Sequence, residues 1–359
     1  MHTRHRIEAL RKRMEEKGLE AMFIAEPSNR RYLSGFTGTS GYVLVTMDRA
    51  VFFTDFRYVT QAAEQCPDLE VIRHEADVMA TVKPELEKSG VKRLAVEQQH
   101  ITYGDFQKYA GELDPIELVP VDSLAAELRM KKDETELKIL EEAARLADLA
   151  YEHILTYIRP GLRERDVDLE LETFMRRHGA SGSSFTTIVA SGERSALPHG
   201  VSSDRVIQPG DFVTLDFGAS YQGYCSDITR TIVVGKPTDK HREIYDIVLE
   251  AQLHCLDHIR PGMTGREADA LTRDIIKRYG YNDYFGHGTG HGIGLEIHEA
   301  PRLSPTSDHV LEPGMTVTVE PGIYLPGFGG VRIEDDIVIT DTGMKRLTNS
   351  SKEFTVIDG

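Results

Sequence analysis

Three imidazoles and four carboxylates, regularly placed in the second part of a 359-residue chain, are the residues best suited to chemistry. His287, His291 and His298 sit among glycines at 286, 288, 290, 292 and 294. So dense a glycine run is foreign to a helix or a central strand. It predicts a loop whose backbone approaches a bound group without a Cβ in the way. Neutral imidazole is also the commonest side-chain ligand for a borderline divalent metal. Such a loop by itself reads equally well as a solvated turn, so the case needs carboxylates, and these occur in matched pairs. Gln208-Pro-Gly210 is followed six residues on by Asp216, and Glu312-Pro-Gly314 six on by Glu320; Gly223 leads by four to Asp227, and Gly330 by four to Glu334. A single acid of this kind is ordinarily a solvated strand end. Four converging in a cleft repel one another unless protonated or neutralised, and two divalent metals about 3.5–4 Å apart are a common hydrolytic answer.

The elements that must position these residues are legible as patterns. The runs ending at Asp216 and Glu320 alternate like strands, so Thr316, Thr318 and Glu320 share one face while Met315, Val317 and Val319 form the apolar one. The same period puts Arg332, Glu334 and Asp336 on one face. Both belong to a longer repeat: Arg159-Pro-Gly161, a helix and Arg177-His-Gly179 are answered 101 residues later by Arg260-Pro-Gly262, a helix and Arg278-Tyr-Gly280. That period exceeds the roughly 20–50 residues of solenoid units and predicts two similar halves facing each other across a cleft. The repeat is entered through a long helix from Glu134, one face of which carries Leu137, Leu140, Ala144, Ala147, Tyr151, Ile154 and Ile158. Upstream, strand-like runs at 21–25, 41–45, 50–54 and 93–97 alternate with helical patterns at 6–17, 59–64 and 81–88, an α/β unit with no visible chemistry. The expected organisation is an amino-terminal domain at 1–122, a linker at 123–133 and a catalytic domain at 134–359.

Composition narrows the partners. With 40% apolar and 28% charged residues the chain has ordinary globular character, and its formal charge of −16 excludes a nucleic-acid backbone as partner. Cys66, Cys225 and Cys255 form no CxxC pair and suit a reducing compartment. No run of about 18 apolar residues occurs, so the expectation is a cytoplasmic protein off the membrane.

Asp216, Asp227, His291, Glu320 and Glu334, in this order and spacing, resemble the metal-ligand set of the pita-bread metallopeptidases, which include methionine aminopeptidase, aminopeptidase P and prolidase. His199 in Leu197-Pro-His-Gly200, the run His287 to Pro301, Pro321-Gly-Ile-Tyr324 and Gly330-Val-Arg-Ile-Glu-Asp335 are most similar to the Xaa-Pro peptidases. Arg31-Tyr-Leu-Ser-Gly-Phe36 and Phe53-Thr-Asp-Phe-Arg57 resemble the creatinase-like domain that precedes the catalytic half in that group. The likeness spans nearly the whole chain. It implies an α/β (α+β) fold, with a creatinase-like amino-terminal domain followed by a pita-bread domain of two pseudo-symmetric halves.

The resemblance also implies roles. Asp216 holds one metal, His291 and Glu320 the other, and Asp227 and Glu334 bridge them; Glu320 accepts a proton from the attacking water, and His199 and His298 serve the tetrahedral intermediate. His287, Tyr324 and Arg332 are the implied substrate-binding residues. Arg332 either grips the proline carboxylate with its planar fork or pairs with a ligand acid. The substrate is an Xaa-Pro dipeptide or short peptide, whose tertiary amide lacks an N–H and needs a dedicated site. The compact length and short first domain favour a dipeptidase over aminopeptidase P. Two divalent ions are expected, Mn²⁺ before Co²⁺, Zn²⁺ or Fe²⁺, in a homodimer. A methionine aminopeptidase would ordinarily lack the first domain, and a catalytically inactive binding module would ordinarily have lost ligands.

Overall fold

The structure, a computed structural model, describes residues 3–122 and 124–358. It divides into two compact units, Met1–Arg129 and Met130–Gly359.

The first unit is built on a six-stranded mixed sheet. Its central strand Ala21–Ile24 runs antiparallel to Tyr42–Thr46 and parallel to Arg93–Glu97. Four expected strands are present, and two more close the edges: Glu70–Arg73 beside Ala50–Thr54, and Glu117–Val121 beside Arg93–Glu97. The first of these is short and only partly buried, and the second contains Pro120, which an edge strand tolerates because one row of its amides has no ladder partner. Neither carries the continuous buried apolar run that marks the central strands. The helix Leu124–Arg129 occupies most of the stretch expected to be a linker. All three cysteines are buried and free.

The second unit repeats itself as expected. The helix Glu134–Tyr157 begins in a capping box on Asp133 and buries Leu140, Ala144, Ala147, Tyr151 and Ile154. Its partner in the repeat is Asp239–His258. The helices Glu164–Arg177 and Gly265–Arg278 are both 14 residues long and start 101 residues apart. Each follows a turn whose glycine has a left-handed φ, 91° at Gly161 and 88° at Gly262. One half then contributes the antiparallel strands Ile188–Ser191, Phe212–Phe217 and Ile228–Val234, and the other Gly290–Gly292, Thr316–Val319 and Asp335–Ile339. Met315, Val317 and Val319 enter one apolar cluster with Leu303, Ile337 and Ile339, which sends Thr316 and Thr318 to the opposite face.

Two sequence expectations need correction here. The 330–336 run is not one strand: Gly329–Arg332 pairs with Gly322–Leu325 in a two-stranded ribbon, and Asp335–Ile339 joins the main sheet of its half. The side-chain alternation survives the switch. The glycine-rich loop also contains a strand, Gly290–Gly292, seated between Glu299–Leu303 and Thr316–Val319. Its glycines permit close backbone packing: a Cβ on Gly290 would lie 1.9 Å from the Thr318 carbonyl oxygen, and one on Gly292 2.2 Å from that of Ala300. Glycine weakens a strand by entropy, but here no larger residue fits.

Candidate metal centre

The four paired acids come together at the junction of the two halves. Asp216 lies near the end of Phe212–Phe217, Asp227 just before Ile228–Val234, Glu320 just after Thr316–Val319, and Glu334 in the short link between two strands. Backbone and side-chain bonds knit the halves at this point. Glu334 N–H donates to the Thr229 carbonyl at 3.1 Å, Asp227 N–H to Asp336 Oδ2 at 2.8 Å, and Thr229 Oγ1 to Glu334 Oε2 at 2.6 Å. Asp216, Asp227 and Glu334 are all less than a tenth exposed. Burial pushes the Asp227 carboxyl well above its ordinary value, with Glu334 and Asp216 adding repulsion. Glu334 is raised in the same way by burial and then by Glu320 and Asp216, and burial lifts Glu320 to about 7. Asp227 Oδ1 and Glu334 Oε1 have no hydrogen-bond partner among the described residues.

His291 supplies the test of what belongs there. Its Nδ1 lies 3.1 Å from the Gly292 carbonyl, which can only accept, so the hydrogen resides on Nδ1. Burial lowers its pKa to about 3, which keeps the ring neutral. Nε2 then presents a lone pair, 3.4 Å from Glu320 Oε1 and 3.6 Å from Asp227 Oδ2. Acceptors facing acceptors in a buried site are repulsive without a cation or protons between them. Ligand atoms of Asp227, His291 and Glu334 all lie within 4.8 Å of one another. The donor set fits a divalent metal, and the carbonyl behind His291 fixes its tautomer as in known metal sites.

His287, Tyr324 and Arg332 form a chain beside these acids. Arg332 Nη1 donates to the Tyr324 hydroxyl at 2.9 Å, and that hydroxyl donates to His287 Nε2 at 2.7 Å. His287 Nδ1 donates in turn to the Gly288 carbonyl at 2.8 Å. Burial lowers the His287 pKa to about 4 and raises that of Tyr324 to about 12, so both are neutral. The rest of the Arg332 fork is engaged by Asp216 Oδ2 at 2.5 Å and Thr229 Oγ1 at 3.1 Å. Of the two readings of Arg332 in the sequence, pairing with a ligand acid is the contact present.

Asp216, Asp227, Glu320, Glu334, His287, His291 and Arg332 line one cavity of about 600 Å³, together with His199 and His298. His298 packs edge-on against His291 at 4.3 Å between ring centroids. Sequence reasoning missed Arg302, which lines the same cavity. It stands opposite His291 in the antiparallel pairing and is exposed, with no hydrogen bond or ion pair from its guanidinium among the described residues. The available signal was its position four residues after His298, on a strand leaving the glycine-rich run.

Comparison with known proteins bears on what this geometry serves. Residues 138–341 match metallopeptidase family M24, and residues 6–131 match the creatinase/prolidase N-terminal domain. The chain belongs to metallopeptidase family M24. This M24 chain is 43% identical to the Xaa-Pro dipeptidase of Pyrococcus furiosus over 98% of its own length and 99% of the relative's. It superposes on the Xaa-Pro dipeptidase from Bacillus anthracis with a TM-score of 0.97 at 55% identity, covering 99% of this chain and 100% of that one. The X-Pro aminopeptidase from Thermotoga maritima aligns with a TM-score of 0.90 at 38% identity, covering 96% and 100%. The expected architecture, a creatinase-like domain followed by a pita-bread catalytic domain, holds, as does the expectation of a metallopeptidase. Among the described residues no helix is long and apolar enough to cross a membrane.

Proposed function

We propose that the protein is an Xaa-Pro dipeptidase working with two divalent ions held by Asp216, Asp227, His291, Glu320 and Glu334. The observation that carries this reading is the meeting of the His291 Nε2 lone pair with the Asp227 and Glu320 carboxylates, beside Asp227 Oδ1 and Glu334 Oε1, which have no hydrogen-bond partner among the described residues. Bound there, the cations supply Lewis acidity and a water acidic enough to attack at neutral pH. The chain's own groups do the rest. Glu320, a carboxylate at the edge of the cavity, takes up the proton released on attack and can return it to the leaving nitrogen. His199 and His298, which line the cavity, donate to the carbonyl oxygen as charge develops on it. Arg332 acts on the substrate through Tyr324 and Asp216, the groups it touches.

Dipeptide preference is assigned to Arg302, the unspent guanidinium in the cavity, which suits the free carboxylate of a carboxy-terminal proline. The donor set, four carboxylates to one imidazole, suits Mn²⁺. A cytoplasmic setting accords with three buried free thiols. A homodimer completes the proposal and is tested by light scattering in solution.

The fold is shared with an X-Pro aminopeptidase, so the choice rests on assay. Release of proline from Ala-Pro should exceed release of alanine from Ala-Pro-Ala with Mn²⁺ present. Arg302→Ala should raise KM for Ala-Pro by about 10- to 100-fold, the worth of one or two charged hydrogen bonds, and leave the tripeptide little changed. Equal turnover of both peptides with an equal effect of the substitution would contradict the dipeptidase assignment.

A further inference from the structure

The helix Gly265–Arg278 turns Asp269, Thr272 and Arg273 toward the back of the histidine-bearing segment, a spacing that places them on one face. Asp269 is 1% exposed. Its Oδ1 accepts both the N–H and the hydroxyl of Thr289 at 2.9 Å, and its carboxylate takes Arg273 Nε at 2.7 Å and Nη2 at 2.9 Å. Arg273 continues outward, donating from Nη1 to the Phe285 carbonyl at 3.0 Å and from Nη2 to the His287 carbonyl at 2.7 Å. Its guanidinium also lies 4.4 Å from the Phe285 ring centroid. Thr289 passes the constraint on, because its carbonyl accepts the Glu320 N–H at 2.8 Å. One carboxylate and one planar fork therefore hold the backbone of Phe285, His287 and Thr289 and, through it, both His291 and Glu320.

The internal repeat shows which part of this frame is peculiar to the histidine-bearing half: Asp168 also bonds a threonine, Thr187, so the carboxylate is shared and the fork is not. The residue 101 positions before Asp269 is Asp168, but the residue 101 before Arg273 is Glu172. The half without a histidine segment lacks the fork. Its equivalent stretch, residues 185–190, contains no glycine, whereas His287 and His291 ride on a glycine-rich backbone that local preference does not hold. We propose that Asp269 and Arg273 are positioning residues for the metal centre, fixing the backbone from which His291 and Glu320 reach the ions. This rests on the two-metal reading above.

The test is calorimetric titration of Mn²⁺ into the metal-free full chain, with hydrogen–deuterium exchange of residues 286–291 in the same samples. Arg273→Met should weaken Mn²⁺ binding about 10- to 100-fold, as loss of an outer partner does at metal sites, and speed exchange in that segment. Arg273→Lys keeps the charge beside Asp269 but not the fork, so it should also bind more weakly than wild type, and it carries the test should the methionine variant not fold. Arg266→Ala, on the same helix, removes an exposed pairing with Asp308 and should match wild type in both readouts. A lower melting temperature with wild-type Mn²⁺ affinity and wild-type exchange would overturn the proposal, leaving Arg273 a structural residue. Were wild type itself to bind no Mn²⁺, the two-metal reading would fall, and exchange alone would still decide whether the fork holds the segment.

Discussion

Glu334, Asp335 and Asp336 are consecutive buried acids, and the two faces of that run have opposite electrostatics. Asp335, 0% exposed, accepts from Arg230 Nη2 at 2.7 Å, Gln252 Nε2 at 2.9 Å and Thr348 Oγ1 at 3.1 Å, and pairs with Lys352. Burial pushes its carboxyl up, but Arg230 and Lys352 outweigh burial and hold it below its ordinary value. Glu334 and Asp336, on the other face, are both raised well above theirs by burial and by neighbouring acids, and each keeps an oxygen without a partner among the described residues. One face is neutralised by cations the chain encodes; the other is left for cations from outside. Burial of an acid is thus a poor signal of function, while burial without compensation is a good one.

The comparison can be broken most severely on the uncompensated face. Asp227→Asn or Glu334→Gln should remove metal from the protein, as read by elemental analysis. Loss of the several kcal/mol that metal ions give a transition state should cut kcat/KM by about 10³-fold or more. On the compensated face the damage should be to folding instead. Asp335→Asn strands Arg230 and Lys352 beside a neutral group and should cost about 3–5 kcal/mol in urea unfolding, while the folded fraction keeps its metal stoichiometry.

Acidity sharpens the contrast. Glu320 is lifted from 4.5 to about 7 in the metal-free fold, so its contribution to stability is present below pH 4.5 and is lost as pH rises through about 7. Asp335, held low, behaves oppositely: its contribution is present above pH 3.8 and is lost as pH falls through its depressed folded-state value. Above pH 6.5, where the lowered His287 and His291 no longer oppose it, melting temperatures of metal-free protein should therefore fall toward pH 7.5, and Mn²⁺ should abolish that fall. The mildest perturbation is Thr229→Val, which removes the hydroxyl that donates to Glu334 at 2.6 Å and should weaken Mn²⁺ binding about 10-fold without loss of fold.

Much of this site was legible because the duplication writes its acids twice. A single Asp216 or Glu334 says little, but Gly-to-acid spacings shared between halves are constrained by geometry, and the turns at Gly161 and Gly262 adopt the same left-handed backbone. Periodicity likewise placed Thr318 and Glu320 away from the apolar cluster of Val317 and Val319. It could not show that Gly290–Gly292 is a strand, because what marks it as one is the Thr318 backbone packed where a Cβ would be. Nor could it show the change of sheet between Arg332 and Asp335, where alternation continues through the break. Arg302 and Arg332 illustrate the remaining gap: both are arginines on strands of the site, and only three-dimensional contacts reveal that one fork is spent on Asp216 and Tyr324 while the other lines the cavity with no hydrogen bond among the described residues.

The central claim, that the face bearing Glu334 is completed by imported cations, is tested most directly by anomalous scattering from crystals of the Mn²⁺-loaded protein. The account predicts two peaks about 3.5–4 Å apart, contacted by Asp216, Asp227, His291, Glu320 and Glu334. Manganese found only elsewhere, with Asp227 Oδ1 and Glu334 Oε1 still without partners, would contradict it.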